Sequence, residues 1–186
     1  MRLIILGAGG HGRVVADIAE QTGKYDEVVF LDDNSNDDKV IGKCSDYIKF
    51  KSEDTEMYPA FGNNQGRVDW ENKIEEAGIK LAKIIHPLAY VSPKAYIAVG
   101  CVIMPYAIVN TSTVVKKACI INIGAIVDHD CILEEGCHLA PGAIVKGENR
   151  VPTCTKIDSG EVVALRYYKK WFERKIQWNI LKIMVN

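Results

Sequence analysis

Long hydrophobic runs are missing from this sequence of 186 residues. The apolar stretch at its start, residues 1–7, is too short for a membrane span or for the apolar region of a signal peptide, and no longer run follows. A strong charge of one sign is missing too, since the formal net charge is -1. Bulk charge therefore indicates no nucleic-acid partner. We expect a cytoplasmic protein with one sizeable domain or two small ones.

Paired cysteine motifs are also missing, because the six cysteines contain no CxxC spacing. Without a signal for an oxidising compartment, a disulfide framework is not expected. Four cysteines share one position of a repeat described below: Cys101, Cys119, Cys131 and Cys137. Small buried thiols are therefore the preferred interpretation, zinc binding is the weaker one, and no metal site is predicted.

A glycine-rich motif near the start predicts a phosphate-binding turn. Residues 3–6 read as a strand, residues 7–12 (GAGGHG) match G-x-G-x-x-G, and a helix pattern follows. Glycines let the backbone approach phosphate oxygens, and the free N–H groups of a helix N-terminus attract anions. A glycine turn that serves only packing is the alternative. The apolar face of the helix is predicted to hold Val14, Val15, Ile18 and Ala19.

An acidic pair follows the second predicted strand. Residues 28–31 read as this strand, and it ends in Asp32 and Asp33, about 20 positions past the glycines. In a Rossmann-type unit, a carboxylate at this distance accepts hydrogen bonds from a ribose or a base. A nucleotide is therefore the expected ligand.

The rest of this segment predicts a small Rossmann-like α/β domain over residues 1–83. A strand that starts at Pro59 and ends in a glycine turn, a helix over about 65–77 and a last strand over 81–85 complete it. This is too short for a full dinucleotide fold, so a mononucleotide or nucleotide-sugar fits better, with an NAD-binding module as an alternative. The ligand groups expected at the strand ends are Gly9, Gly10, His11, Asp32, Asp33 and Gly62, with Arg67 as a further candidate.

Residues 85–145 carry a six-residue repeat. Eight positions spaced six residues apart hold a β-branched aliphatic residue in seven cases. They are Val102, Ile108, Val114, Ile120, Ile126, Ile132, His138 and Ile144. A strand repeats every two residues and a helix every 3.6, whereas a sustained period of six is typical of a parallel β-helix with three units in each coil. The sequence therefore predicts a β-helix domain over residues 84–163.

Two irregularities interrupt this pattern. Upstream, the step from Ile97 to Val102 is five, which we interpret as a local deletion at a corner. Downstream, residues 146–150 break the phase before Val151 recovers it. We therefore expect a regular core of a little over three coils, followed by one irregular coil.

The glycine motif, the FLDD and GNN segments and the run NIGAIVDHDC (residues 122–131) together resemble the hexapeptide-repeat acyltransferases. In particular they resemble the PglD/NeuD group of nucleotide-aminosugar N-acetyltransferases and sialic acid O-acetyltransferases. The resemblance covers roughly residues 1–145. It implies a left-handed β-helix, against the usual crossover hand, together with a homotrimer and acetyl-CoA as co-substrate.

The same resemblance implies roles for single residues. His129 matches the general base and Asp130 the acidic residue that supports it, and a neutral imidazole can accept a proton near pH 7. His138, in the phase taken as buried, is expected near the thioester, and a backbone N–H near Gly142 is expected to stabilise the oxyanion. Asn122 is a candidate for orienting the acceptor or the thioester. The alternatives are a surface histidine at 129, a core histidine at 138 and a corner-capping asparagine at 122.

Residues 164–186 predict a C-terminal amphipathic helix with six basic residues and one acidic residue. It would cover the open end of the β-helix or the trimer, and peripheral contact with an anionic membrane is the second interpretation. Members of the family are expected to continue for several further coils, which complete the CoA groove and which the sequence lacks.

We therefore expect a trimeric enzyme that transfers an acetyl group from acetyl-CoA directly to an amino group, or a hydroxyl, of a nucleotide-activated or free sugar. The setting would be surface-glycan synthesis. The alternative is a non-catalytic nucleotide-sugar-binding scaffold that has lost the CoA-binding coils.

Overall fold

The computed structural model describes residues 1–168, which form a small α/β domain followed by a left-handed parallel β-helix. The predicted C-terminal helix lies, from residue 169 onward, outside the described residues. Within residues 1–168, no helix is both long and apolar enough to cross a membrane.

The N-terminal domain is built on a four-stranded parallel sheet with the order β2-β1-β3-β4. Its strands are β1 (Arg2–Leu6), β2 (Glu27–Leu31), β3 (Thr55–Pro59) and β4 (Lys80–Leu81). Its helices are α1 (Gly10–Gln21), α2 (Asn64–Glu76) and a 3-10 helix, Cys44–Phe50. Parallel strands covered on both faces read as continuous apolar runs, which explains the buried stretch in β1.

Three details of this domain differ from the sequence prediction. The strand predicted to start at Pro59 ends there instead, because Met57 and Tyr58 are the residues buried in the sheet. The strand predicted over 81–85 is split, since residue 81 ends the N-terminal sheet whereas Ile84 pairs with the β-helix. Val14 is exposed, and the buried face of α1 runs through Val15, Ala16, Ile18 and Ala19.

Within the described residues, the β-helix consists of fourteen two-residue strands, one every six residues. They are β5 (Ile84–Ile85), β6 (Tyr90–Val91), β7 (Tyr96–Ile97), β8 (Val102–Ile103), β9 (Ile108–Val109), β10 (Val114–Val115), β11 (Ile120–Ile121), β12 (Ile126–Val127), β13 (Ile132–Leu133), β14 (His138–Leu139), β15 (Ile144–Val145), β16 (Arg150–Val151), β17 (Lys156–Ile157) and β18 (Val162–Val163).

Successive strands join three sheets in turn, so that residues eighteen apart are stacked neighbours. The first β-helix sheet has the order β17-β14-β11-β8-β5, the second β18-β15-β12-β9-β6 and the third β16-β13-β10-β7.

The predicted deletion and the predicted phase break are both wrong, because the strands follow one another without a change of step from Ile84 to Val163. The second residue of each strand fills the interior, and the first faces outward. The apparent changes of step arise because the sequence pattern does not use the same residue of each strand throughout. Ile97 and Val151 are second, interior residues of their strands, whereas the aliphatic residues counted from Val102 to Ile144 are first, outward residues. Counting from an interior residue to an outward one shortens the step from six residues to five, and counting from an outward residue to an interior one lengthens it to seven.

The corners between strands explain the small residues of the repeat. The residue just before each strand points inward and is fully buried at Ala107, Thr113, Ala125 and Ala143 and at the four cysteines Cys101, Cys119, Cys131 and Cys137. The residue immediately before this inward-pointing one has a positive φ at every corner from Gly100 to Arg166. The buried free thiols agree with the prediction for these cysteines.

The two domains pack together along one sheet and one corner. Ile84, Val102 and Ile120 face outward from the first β-helix sheet and share a core with α1 and β1. Helix α2 runs along the corner between the third and first sheets. Its contacts, in order, are Glu71 with Gly100, Arg67 with Ala118 and Gly136, and Asn64 with Cys154. One helical turn of about 5.4 Å matches one coil spacing of about 4.8 Å, which keeps the two in register.

Arg67 is a structural tie between the domains, so its candidacy as a ligand group is wrong. The side chain is fully buried. Its guanidinium donates to the carbonyl oxygens of Ala118, Phe61 and Gly136 at 2.8 to 3.1 Å, and to the side chain of Asn64.

On the same helix, burial raises the pKa of the Glu71 carboxyl to about 9, so this group is neutral at pH 7.

Candidate active site

His129 stands at the corner between the second and third β-helix sheets. The side chain of Asp128 accepts the His129 backbone N–H at 2.8 Å, which fixes the corner. Asp130 adopts a positive φ of 56°, and its carboxylate lies 2.8 Å from His129 Nδ1. In the neutral ring this carboxylate holds the proton on Nδ1, which leaves Nε2 as a proton acceptor. The structure thus brings together the predicted base and its predicted acidic partner.

The electric field at this corner favours the protonated imidazole. The hydrogen bond to Asp130, followed by the charges of Asp128 and Glu148, raises the pKa of His129 above its ordinary value. The ring is 43% exposed, so it can reach a bound substrate. A histidine in this setting is a stronger base than a free imidazole once it is neutral.

Gly147, one coil after His129, borders the reactive edge of the ring. A Cβ atom at this position would lie 2.8 Å from both Nε2 and Cε1 of His129. Only glycine therefore leaves room for the ring in its present place. Gly147 was not among the predicted site residues, although it lies eighteen residues, or one coil of three six-residue units, after His129.

The backbone N–H of Gly147 has no acceptor among residues 1–168. At equivalent corner positions the amide is accepted by the preceding side chain at 2.8 Å: Thr111 by Asn110, Ile123 by Asn122 and His129 by Asp128. Lys146 precedes Gly147 and offers no such acceptor. By contrast, the N–H of Gly142 donates to the Ile123 carbonyl at 2.9 Å. Gly142 itself therefore cannot supply the predicted oxyanion donor.

A second polar group lies where the N-terminal domain meets the first β-helix sheet. His138 is the first residue of β14 and faces outward, so the buried phase predicted for it is wrong. Its Nε2 lies 3.3 Å from Asn122 Nδ2. The Asn122 side chain also accepts the Ile123 N–H at 2.8 Å, which agrees with the corner-capping interpretation, whereas its role toward the acceptor or the thioester stays a prediction. His11 lies 3.5 Å from the hydroxyl of Tyr58.

Both histidines of this group are neutral at pH 7. Burial, and then the charge of Arg67, lowers the pKa of His11 and of His138 to about 4 in each case. The charge of His138 also lowers the pKa of His11, and Arg67 acts on both rings, so the two histidines share one electrostatic environment. The two neutral rings can donate and accept hydrogen bonds, but they offer no positive charge to a bound ligand.

The glycine turn and the acidic pair are joined by hydrogen bonds. The carboxylate of Asp32 accepts the Ala8 N–H at 2.7 Å and two further amides of its own loop, and these bonds hold its pKa below the ordinary range. Asp33 is exposed and accepts the Cys44 N–H at 3.1 Å. Gly12 must be glycine, because a Cβ atom would lie 1.9 Å from the Gly7 carbonyl oxygen.

The expected ligand glycines border open space. A Cβ atom at Gly9, Gly10 or Gly62 would meet nothing within 4 Å. Gly9 caps α1 without a side-chain bond, which leaves the first N–H groups of the helix available to an anion. Among residues 1–168, no group of three or more acidic, histidine or cysteine side chains could hold a metal ion.

The two groups do not meet within one chain. His138 and the N-terminal domain lie on the first sheet, whereas His129 lies at the corner between the second and third sheets, opposite the first. One side of a coil spans about five extended residues, or roughly 15 Å. A sugar held by the N-terminal domain therefore cannot reach His129 of the same chain without a long displacement.

Comparison with known proteins identifies the family. A model of the PglD N-terminal domain matches residues 2–74. The acetyltransferase domain of PglB from Neisseria gonorrhoeae FA1090, solved in complex with acetyl coenzyme A, is 39% identical with a TM-score of 0.85, and the match covers 89% of this chain and 82% of that one. This chain belongs to the hexapeptide-repeat sugar acetyltransferases of the PglD group.

Two further structures resemble this sugar acetyltransferase. A variant of perosamine N-acetyltransferase from Caulobacter crescentus, in complex with CoA and GDP-perosamine, is 26% identical with a TM-score of 0.77, and the match covers 89% of each chain. WeeI from Acinetobacter baumannii AYE, 18% identical with a TM-score of 0.65, shares the fold. Coverage of 82% and 89% of chains solved with CoA ligands argues against the loss of several coils. The enzyme assignment therefore replaces the scaffold and NAD-binding alternatives.

Proposed function

We propose that this sugar acetyltransferase moves the acetyl group of acetyl-CoA onto an amino group, or a hydroxyl, of a nucleotide-activated sugar, with His129 as general base. The observation that carries the proposal is the 2.8 Å contact of His129 Nδ1 with Asp130, which leaves Nε2 as the proton acceptor beside Gly147, 3.8 Å from an Asp128 carboxylate oxygen. Similar proteins have been solved with acetyl-CoA and with GDP-perosamine.

The reaction needs one base and one oxyanion donor. His129 Nε2 takes a proton from the sugar amine as the nitrogen attacks the acetyl carbonyl, and Asp130 stabilises the imidazolium that forms. The N–H of Gly147, which has no acceptor among residues 1–168, would donate to the developing oxyanion. When the C–S bond breaks, the CoA sulfur takes the proton back from His129. No covalent enzyme intermediate is required.

The N-terminal domain would hold the nucleotide. Its phosphates fit the open space around Gly9 and Gly10 at the start of α1, and Asp33 is exposed for a ribose or a base. Asp32 contributes indirectly, because its carboxylate is taken up in holding the glycine turn. The neutral His11 and His138 lie between this site and the β-helix, where they can bond the sugar or the thioester.

A homotrimer would bring the two halves of the site together. The outer face of the second sheet presents an apolar column formed by Tyr90, Ile108, Ile126, Ile144 and Val162. Tyr90 and Val162 are both more than half exposed in the single chain. A column of this kind, bordered by the His129 corner, is suited to packing against a second copy. In a closed three-fold ring, the His129 corner of one copy would face the Asn122 and His138 side of the next.

The predicted membrane contact of the C-terminal helix involves residues outside those described, and it stays a prediction. Its test is sedimentation with anionic vesicles of the full chain against a chain that ends at residue 168.

The proposed function is tested by His129→Ala. Purified protein is mixed with acetyl-CoA and an amino-sugar nucleotide, with the matching hydroxyl-sugar nucleotide in parallel, and release of the CoA thiol is followed. We expect loss of at least about 100-fold in kcat, because proton transfer from the nucleophile is lost. The control is Lys94→Ala, an exposed residue two coils earlier at the same corner. Activity within a few-fold of wild type in His129→Ala would rule out the general-base role.

A further inference from the structure

The turns at the β-helix corners close in different ways. Where an alanine points into the corner, the turn closes on itself through a bond from an N–H to the carbonyl three residues earlier. The five examples among residues 84–168 are Ala89 to His86 and Ala95 to Ser92, both at 2.9 Å, Ala107 to Met104 at 3.2 Å, and Ala125 to Asn122 and Ala143 to Ala140, both at 3.0 Å. This direct bond is the ordinary closure of a β-turn.

The turn that carries His129 is opened by a side chain from the coil before it. The hydroxyl of Thr113 donates to the Asp128 carbonyl at 2.7 Å and accepts the Cys131 N–H at 3.3 Å. It therefore stands in place of the direct bond between these two backbone groups. Asp128 and Cys131 flank His129 and Asp130 on either side, so one buried hydroxyl holds both ends of the catalytic turn.

Within residues 84–168, Thr113 is the one residue that holds a β-helix turn in this way with a hydroxyl. Thr113 is fully buried. Elsewhere buried thiols reach the corresponding carbonyls, at 3.0 to 3.2 Å for Cys101, Cys119 and Cys137 at the corner between the third and first sheets, and at 3.4 Å for Cys131 one coil after the His129 turn. A thiol is a weaker donor than a hydroxyl. Thr155 occupies the same position of the six-residue unit, seven units after Thr113, and no hydrogen bond of its hydroxyl is found in the described part of the chain.

We infer that Thr113 is a positioning residue whose hydroxyl sets the spacing of the His129 turn, and thereby the place of the imidazole between Asp130 and Gly147. The inference rests on the proposed role of His129. Without the hydroxyl, the Asp128 carbonyl and the Cys131 amide either lose their partner or bond each other, as at the alanine corners. Either change moves the residues between them.

The test compares Thr113→Val, which keeps the shape and removes the hydroxyl, with Thr155→Val as the matched substitution away from the site. We expect a fall in kcat of roughly 10-fold for Thr113→Val, with KM values for acetyl-CoA and sugar nucleotide within about two-fold, because small misplacements of a reacting group lower the rate without removing binding contacts. Thr113→Ser keeps the hydroxyl and should restore kcat. Thr155→Val should match wild type.

A second readout does not depend on activity. NMR titration of histidine-labelled protein should show that the pKa of His129 falls in Thr113→Val, because the contact with Asp130 loosens, and that it is unchanged in Thr155→Val. An unchanged kcat together with an unchanged titration would overturn the inference and leave the role of His129 intact. If His129→Ala is fully active, the proposed function fails, while the titration still decides whether Thr113 positions the ring.

A folding defect would not leave the question open. Should Thr113→Val fail to fold, Thr113→Cys is the substitute, because a thiol bridges the equivalent turn at Cys101 and Cys119. We expect this variant to fold, with a kcat between those of Thr113→Ser and the alanine variant Thr113→Ala. Identical kcat values in all three would overturn the inference.

Discussion

Gly147→Ala should damage catalysis through a single steric contact. The added Cβ atom would lie 2.8 Å from His129 Nε2 and Cε1, whereas ordinary van der Waals contact begins at 3.4 Å. The ring must therefore move by at least 3.4 − 2.8 = 0.6 Å from the place in which Nδ1 lies 2.8 Å from Asp130. Gly147 does not have a positive φ, so alanine adds no backbone strain and the effect belongs to the contact.

The expected magnitude follows from this displacement. A shift of about 1 Å in a catalytic group costs about 100-fold in rate, so a shift of this size should cost roughly 10- to 100-fold in kcat. The ring is partly exposed and can swing toward solvent, so the melting temperature should change little. The assay is CoA release under saturating acetyl-CoA and sugar nucleotide, with a parallel melting curve.

Gly62→Ala provides the contrast. Its added Cβ atom meets nothing within 4 Å, and the residue lies at the proposed nucleotide site. We expect it to raise the KM for the sugar nucleotide and to leave kcat unchanged. Wild-type kcat in Gly147→Ala, measured in a protein with a normal melting curve, would show that the place of the His129 ring does not limit the reaction.

Two further predictions concern the charge at the site and the tie between the domains. Because Asp130 raises the pKa of His129 and only the neutral ring is a base, kcat/KM should rise with pH through an inflection above 6.5, and Asp130→Asn should move that inflection to lower pH and lower the plateau. The pKa values of His11 and His138 are about 4, so neither accounts for this limb, and an inflection unmoved by Asp130→Asn would contradict the assignment. Arg67→Met should lower the free energy of unfolding by about 3–5 kcal/mol in urea denaturation, because it leaves several buried acceptors without a donor. A loss below about 1 kcal/mol would show that the arginine is not the tie described above.

Local features of the sequence were enough to predict the architecture. The period of six and the small residue before each strand can be recognised within single six-residue units. They therefore predict the coils and corners of the β-helix without knowledge of any contact between distant residues. The turn from residue 7 to residue 12 and the acidic pair after β2 depend on a single βαβ unit in the same way. The pairing of His129 with Asp130 is local too, since adjacent residues at a corner meet whatever the rest of the chain does.

Other features depend on how the coils stack and on which face of an element is covered. Val102 and Ile103 are both aliphatic, so the pattern alone could not show which of them fills the interior, and the inferred deletion and phase break followed from that ambiguity. From the sequence, Arg67 is a plausible ligand-binding residue. It is a structural tie between the domains because α2 lies along a β-helix corner.

The environment of the predicted base shows the same division. His129 and Asp130 could be named from the sequence, but Gly147 and Thr113 reach the same corner from the neighbouring coils, 18 and 16 residues away in the chain. The separation of His129 from His11 and His138 also appears only once three sheets enclose the core. The sequence by itself therefore determined the repeat and the chemical groups, whereas the tertiary structure decided which of those groups lie together, because contacts between coils depend on stacking and not on distance along the chain.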